Sequence, residues 1–113
     1  MKNLFFTFIF VTCGIATAQD FPDGMVAVEF NASFNKSNEV VWLPKLADCA
    51  IERVDIAADS RWSKEYKIVV VPTIVIFNNN EEVKRFQANI MMSMETTLKE
   101  VQNSIDEIVM EAF

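Results

Sequence analysis

The sequence contains no histidine in its 113 residues. That removes the side chain most often used as a general base near neutral pH, and with it the commonest metal ligand. Glycine occurs only twice, and the tightest turn in view, Asn78-Asn79-Asn80, is built from asparagine, which tolerates positive φ. No run of like charge and no internal repeat stands out. The longest apolar stretch, Leu4 to Ile15, is too short for a comfortable membrane span, which needs about 20 residues. Cysteine is nearly absent as well, with only Cys13 and Cys49.

The apolar stretch has a different anatomy. Met1-Lys2-Asn3 is a short basic head, Leu4 to Ile15 an apolar body and Ala16-Thr17-Ala18 a small-residue exit. This pattern predicts a secretory signal peptide over residues 1–18, cleaved before Gln19, and an exported chain, periplasmic or secreted. Cys13 follows Phe10-Val11-Thr12, unlike the Leu-(Ala/Ser)-(Gly/Ala) that usually precedes a lipidated cysteine, so cleavage is expected rather than lipid attachment. Cleavage would leave 95 residues, enough for one small domain. Lys2 is the only charge removed, leaving nine basic against sixteen acidic side chains, net −7. So acidic a chain lacks the basic patches that hold nucleic acid or anionic membranes. Cys49 would then be alone, and an intramolecular disulfide is excluded in a compartment that favours one. The apolar core has to hold the domain by itself.

Phe21-Pro22-Asp23-Gly24 reads as a lead-in turn. Met25 to Phe30 is an apolar run of strand length, suited to a strand covered on both faces. From Ser37 the period changes: Val40, Val41, Leu43, Leu46 and Ala47 fall at helical spacings, with Pro44 inside to kink or delay the helix. Ile51, Val54 and Ile56 alternate with charges as a second strand. Arg61 to Tyr66 reads as a short helix with Ser60 as its cap. Ile68 to Phe77 is the most strand-like segment, and its Pro72 implies an edge, a bulge or a cis bond at its start. Val83 to Phe86 returns across the asparagine turn. Met94, Leu98, Val101, Ile105, Ile108 and Val109 form an amphipathic stripe, with Ser93 expected as its cap. The order strand, helix, strand, short helix, strand, strand, helix gives a parallel βαβ unit followed by a hairpin and a covering helix, a sheet between helical layers.

That order, and the residues at its two key turns, resembles thioredoxin. In VEFNASF, Glu29 falls on the family's buried acid, Phe30 and Ala32 match directly, Asn31 replaces a tryptophan and Phe34 sits on a second one. In IVVVPTIVIFNNNEEVKRF, Pro72 falls on the family's cis-proline and Val71 on the residue before it. The resemblance covers residues 25–113 and implies an α/β fold of three layers, α/β/α. Its sheet is mixed and four-stranded with order 2-1-3-4, in a minimal βαβ-α-ββα form of an exported bacterial type. The family's extra N-terminal strand and helix have no room here.

The family's Cys-x-x-Cys falls on Asn35-Lys36-Ser37-Asn38. Disulfide exchange needs a thiolate to attack sulfur and a second thiol to resolve the mixed disulfide. An amide neither ionises near neutral pH nor bonds to sulfur. Cys49, eleven positions past Asn38, would lie about 16 Å away along a helix, and reads as a buried small hydrophobe or as a redox sensor. Asn35, Lys36, Ser37 and Asn38 read either as helix caps or as a recognition surface of free amides. Lys36 either pairs with Glu29 or points into water. Glu29, without a thiol to serve, is left as a structural acid whose burial should raise its pKa. Met91, Met92 and Met94 are either helix-start packing or a soft contact surface.

Three functions stay open. The resemblance implies a redox-inactive binding module, whose groove of Phe34, Lys36, Ser37, Val71, Pro72 and Ala88 would hold a protein or extended peptide by backbone hydrogen bonds. A thiol-disulfide oxidoreductase working through Cys49 alone is the second, and a structural subunit of an envelope complex the third. No metal or cofactor is expected, nor a nucleic-acid partner, and a monomer is expected over an oligomer.

Overall fold

The computed structural model describes residues 20–111; the expected signal segment, its exit at Ala18, Gln19 and Cys13 lie outside the described residues. The elements are β1 (Met25–Asn31), β2 (Ala50–Asp55), α1 (Arg61–Glu65), β3 (Thr73–Asn78), β4 (Glu81–Gln87) and α2 (Leu98–Glu111). The four strands form one mixed sheet in the order β2-β1-β3-β4, the order that the resemblance implies. β1 runs parallel to β2 and antiparallel to β3, and β3 is antiparallel to β4.

Strand alternation divides the core into two layers. Val26, Val28 and Phe30 of β1 and Val75 and Phe77 of β3 face one way, toward Phe21, Trp62 and Tyr66. Ala27 of β1 and Ile74 and Ile76 of β3 face the other, toward Val40, Leu43, Leu46, Val101 and Ile105. The two inner strands are thus apolar on both faces, as their continuous apolar runs require. α1 packs through two aromatics: Trp62 and Tyr66 stack at 6.0 Å between centroids and pack around Phe21 and Phe30.

The asparagine turn does two jobs. Asn79 and Asn80 both take left-handed backbone, φ 53° and 65°, the pair of positive values that a two-residue type I′ hairpin needs. Their side chains then hold the lead-in: Asn79 Oδ1 accepts the Gly24 N–H, while Asn80 accepts the Phe21 N–H and donates to the Phe21 carbonyl.

Two expected elements differ. The crossover from β1 to β2 is not an α-helix but two 3-10 turns, Ser33–Asn38 and Leu43–Lys45, with extended backbone at Glu39 and Leu46. Pro44 supplies one reason. It has no N–H for the Val40 carbonyl four residues back; that carbonyl accepts the Leu43 N–H at 3.2 Å in a 3-10 step and Arg53 Nη2 at 2.9 Å. The Val40 N–H is likewise spent, on Glu29 Oε2 at 2.8 Å. The Glu29–Arg53 ion pair on the sheet thus bonds both backbone groups of Val40.

The second difference is the cap of α2. Ser93 lies outside the helix, and Thr97 caps it: Thr97 Oγ1 accepts the Glu100 N–H, and Glu100 Oε1 accepts the Thr97 N–H. That is a reciprocal capping box. Ser60, at the N-cap of α1, makes no side-chain cap bond; Asp59 Oδ1 accepts the Arg61 N–H in its place. The apolar stripe itself is as expected, with Val101 and Ile105 fully buried. No helix among the described residues is long and apolar enough to cross a membrane.

Candidate functional site

Three chain segments meet beyond the C-terminal end of β1: the first crossover turn, the stretch leading into β3, and the loop from β4 to α2. The side chain that joins them is Asn35. It is 4% exposed, and its Nδ2 lies 3.1 Å from the Met92 carbonyl, 3.2 Å from Asn31 Oδ1 and 3.4 Å from the Val71 carbonyl. Its Oδ1 accepts from Asn38 Nδ2 at 3.0 Å, and its own carbonyl accepts from Asn31 Nδ2. A primary amide suits this place because it offers two N–H donors and an acceptor on one small planar group. Sequence reasoning left Asn35 and Asn38 as helix caps or as free amides for recognition; the turn has no side-chain cap bond, and the two amides bond to one another while that of Asn35 also bonds across to other segments.

The Val71-Pro72 peptide is cis. The Pro72 carbonyl accepts the Ala88 N–H at 3.1 Å, which extends the β3-β4 ladder by one step and fixes the two segments together. The Val71 N–H donates to no group among the described residues. Around this point, each segment joined by Asn35 carries apolar side chains in water. Phe34, Val69, Ile90 and Met91 are all at least three-quarters exposed, and Met92 is partly so. Lys36 and Ser37 are exposed beside them, whereas Val71 and Pro72 are buried. Of the expected groove residues, Val71, Pro72 and Ala88 are thus joined by backbone bonds, and Phe34, Lys36 and Ser37 stand on the facing turn. Val69 and Ile90 were not foreseen as part of it; Met91, expected as helix-start packing or a soft contact surface, is exposed on the loop.

Beneath the turn lies the ion pair. Glu29 is 1% exposed, and Arg53 faces it across the β1-β2 register, Nη1 to Oε1 at 2.6 Å. Arg53 Nη1 also approaches Glu39 at 3.3 Å. Burial pushes the Glu29 carboxyl above its ordinary value and outweighs the Val40 N–H and Arg53, which hold it down, while Glu39 adds to the rise. Lys36 does not reach Glu29; it stands in solvent, 3.8 Å from Glu39. These groups, with Asn31, Ser33 and Asp55, line a cleft of about 230 Å³ at the C-terminal ends of the two parallel strands.

Cys49 sits elsewhere, half-buried against the layer formed by Leu43, Val101 and Ile105. Burial, then Asp48, push its thiol up against a backbone bond from Ala27, so the thiolate that exchange requires is disfavoured. Among the described residues, no group of three or more His, Cys, Asp or Glu is placed to hold a metal ion.

No family model matches the sequence, and no curated protein does. Solved structures do. A thioredoxin 1 from Thermosipho africanus superposes with a TM-score of 0.60 at 22% identity, over 77% of this chain and 97% of that one. A thioredoxin from Schistosoma mansoni gives 0.59 at 19%, over 78% and 80%, and a mutant thioredoxin from Halobacterium salinarum 0.59 at 17%, over 75% and 74%. The fold is that of thioredoxin. The strand order is that of the fold, Pro72 follows a cis bond as the resemblance implied, and Asn35 stands where the resemblance places the first redox cysteine.

Proposed function

We propose that this chain is a redox-inactive, thioredoxin-like module of the cell envelope that holds an extended protein segment rather than exchanging disulfides with it. The observation that carries the reading is the Val71 N–H. It is a backbone donor without a partner among the described residues, beside a cis-proline and on one of three segments, joined by Asn35, that carry exposed apolar side chains. A backbone N–H is an obligatory hydrogen-bonding group. An extended peptide supplies its acceptor by strand addition, and apolar side chains flanking that bond give the contact its area.

The absence of exchange rests on chemistry. Asn35 and Asn38 carry no sulfur, and the only thiol in the described domain is the disfavoured one of Cys49. Export rests on the residues before Gln19, which read as a signal peptide.

The test is an array of decapeptides free of cysteine and methionine, with the tightest binder followed by fluorescence anisotropy. Binding that falls at least tenfold in both Phe34→Ala and Val71→Asp supports the reading. An array with no binder, or binding indifferent to both substitutions, overturns it. Reduction of insulin disulfides above background, abolished by Cys49→Ser, would place the chain among the oxidoreductases.

A further inference from the structure

The binding surface just described carries two of the chain's methionines, and we infer that their oxidation to sulfoxide is a switch that turns binding off. The inference rests on the peptide-holding reading and adds a modification site to it. Methionine is present six times, and five of these residues are described. Met25 and Met94 are half-buried against the core layer around Leu43 and Ile105. Met110 is 73% exposed on α2. Met91 is 75% and Met92 38% exposed, and both stand on the loop that Asn35 ties to Val71 through the Met92 carbonyl.

Two features fix these thioethers at the surface. Met92 takes left-handed backbone, φ 59°, with its N–H on the Asn89 carbonyl at 3.0 Å. Asn89 Oδ1 accepts from both Met91 and Ser93 N–H groups. The loop is thus closed on itself by these bonds.

The chemistry needs only a peroxide. The thioether sulfur attacks one peroxide oxygen, a sulfur–oxygen bond forms as the oxygen–oxygen bond breaks, and hydrogen peroxide leaves as water after proton transfer. Sulfur is oxidised by two electrons and the peroxide reduced by two. The product is polar and chiral where the side chain was apolar and flexible, and methionine sulfoxide reductases reverse it. A sulfoxide on the rim brings an acceptor that an apolar peptide side chain cannot satisfy, so burying it opposes binding. A fold that has given up cysteine redox chemistry would in this way keep an oxidant-sensitive surface.

The probe is the tightest-binding decapeptide of the array, which contains neither cysteine nor methionine. The intact mature chain is treated with hydrogen peroxide, and each methionine is followed by peptide-mapping mass spectrometry. Met91 and Met92 are expected to gain oxygen ahead of Met25 and Met94, and anisotropy to report binding weakened at least tenfold. Saturating peptide should slow oxidation at Met91 and Met92 but not at Met110, since a peptide seated on that surface covers those two thioethers from peroxide. Met91→Leu with Met92→Leu should bind as tightly after peroxide as before, although Met110 still oxidises; Met110→Leu should give no protection.

Binding that survives with both sulfoxides in place overturns the inference and leaves the peptide-holding reading standing. So does oxidation of Met91 and Met92 no faster than that of Met25 and Met94. An untreated chain that binds no array peptide overturns the reading and the inference together.

Discussion

Arg53 and Glu29 lie opposite each other on parallel neighbours β2 and β1, and between them they bond both the N–H and the carbonyl of Val40. This four-way contact fastens the crossover to the sheet where a helix would have fastened itself. Removing one partner of a buried pair leaves the other charge uncompensated, which costs about 3–5 kcal/mol when both are fully enclosed. The Arg53 side chain is about a third exposed, so Arg53→Met should destabilise by about 2–3 kcal/mol, or roughly 10–20 °C in melting temperature for a domain of this size. Urea melts of both proteins check it. A loss below about 0.5 kcal/mol, the range of an exposed pair, would show that the pair is incidental.

Acid should reveal the same pair from the other side. Burial raises the folded pKa of Glu29 above its unfolded value. Through the interval between the two, the folded chain binds more protons, and stability falls as pH rises. The contribution is fully present below the ordinary glutamate value, about pH 4.3, and is lost as pH passes the folded one. Glu82 acts oppositely, because the bond from Arg85 holds its pKa down. The comparison must therefore be wild type against Glu29→Gln. From pH 4 to 7 the wild-type urea midpoint should drop relative to that of Glu29→Gln, and the Arg53→Met penalty should shrink toward pH 4. A difference that is flat with pH would remove Glu29 as the titrating group.

Most of the fold was legible because it is written in periods. The doubly apolar β1 and β3, the asparagine hairpin and the Val101–Ile105 stripe are each local patterns that tertiary packing reinforces. The crossover was misread for a reason equally local in origin. Val40, Leu43 and Leu46 fall at helical spacing and are indeed buried, but spacing reports burial and not hydrogen bonding. One hydrogen-bond partner there is Arg53, supplied by the next strand. Its position opposite Glu29 follows from a parallel register that the sequence does not print, although the alternation of Ile51 and Arg53 on one face of β2 hints at it. At the site, Phe34, Val71 and Pro72 were readable through the resemblance. The Met92 carbonyl was not, because a backbone acceptor presented by a left-handed residue leaves no side-chain signature.

The cap of α2 offers a direct comparison between spacing and geometry. Thr97 and Glu100 satisfy each other's N–H groups, whereas Ser93 lies ahead of the helix and its N–H is held by Asn89. Thr97→Ala should cost about 1 kcal/mol, and Ser93→Ala no more than a few tenths, as for a surface change away from any cap. Thermal melts of the two variants decide it, and equal losses would reassign the cap.

The last test asks what the amide at position 35 is for. Asn35→Ala removes the donors shared by Asn31 Oδ1, the Val71 carbonyl and the Met92 carbonyl. It should cost about 1–3 kcal/mol, the penalty for stranding buried acceptors. Asn35→Asp is nearly the same shape but, once ionised, only accepts. It would set a buried carboxylate against three oxygen acceptors and leave Asn38 as its only close donor. Aspartate should therefore be the more damaging change at pH 7 and approach alanine as acid protonates it. If the amide merely fills space, the isosteric aspartate will be the milder one. The order of the two urea midpoints at neutral pH separates a hydrogen-bonding staple from a spacer.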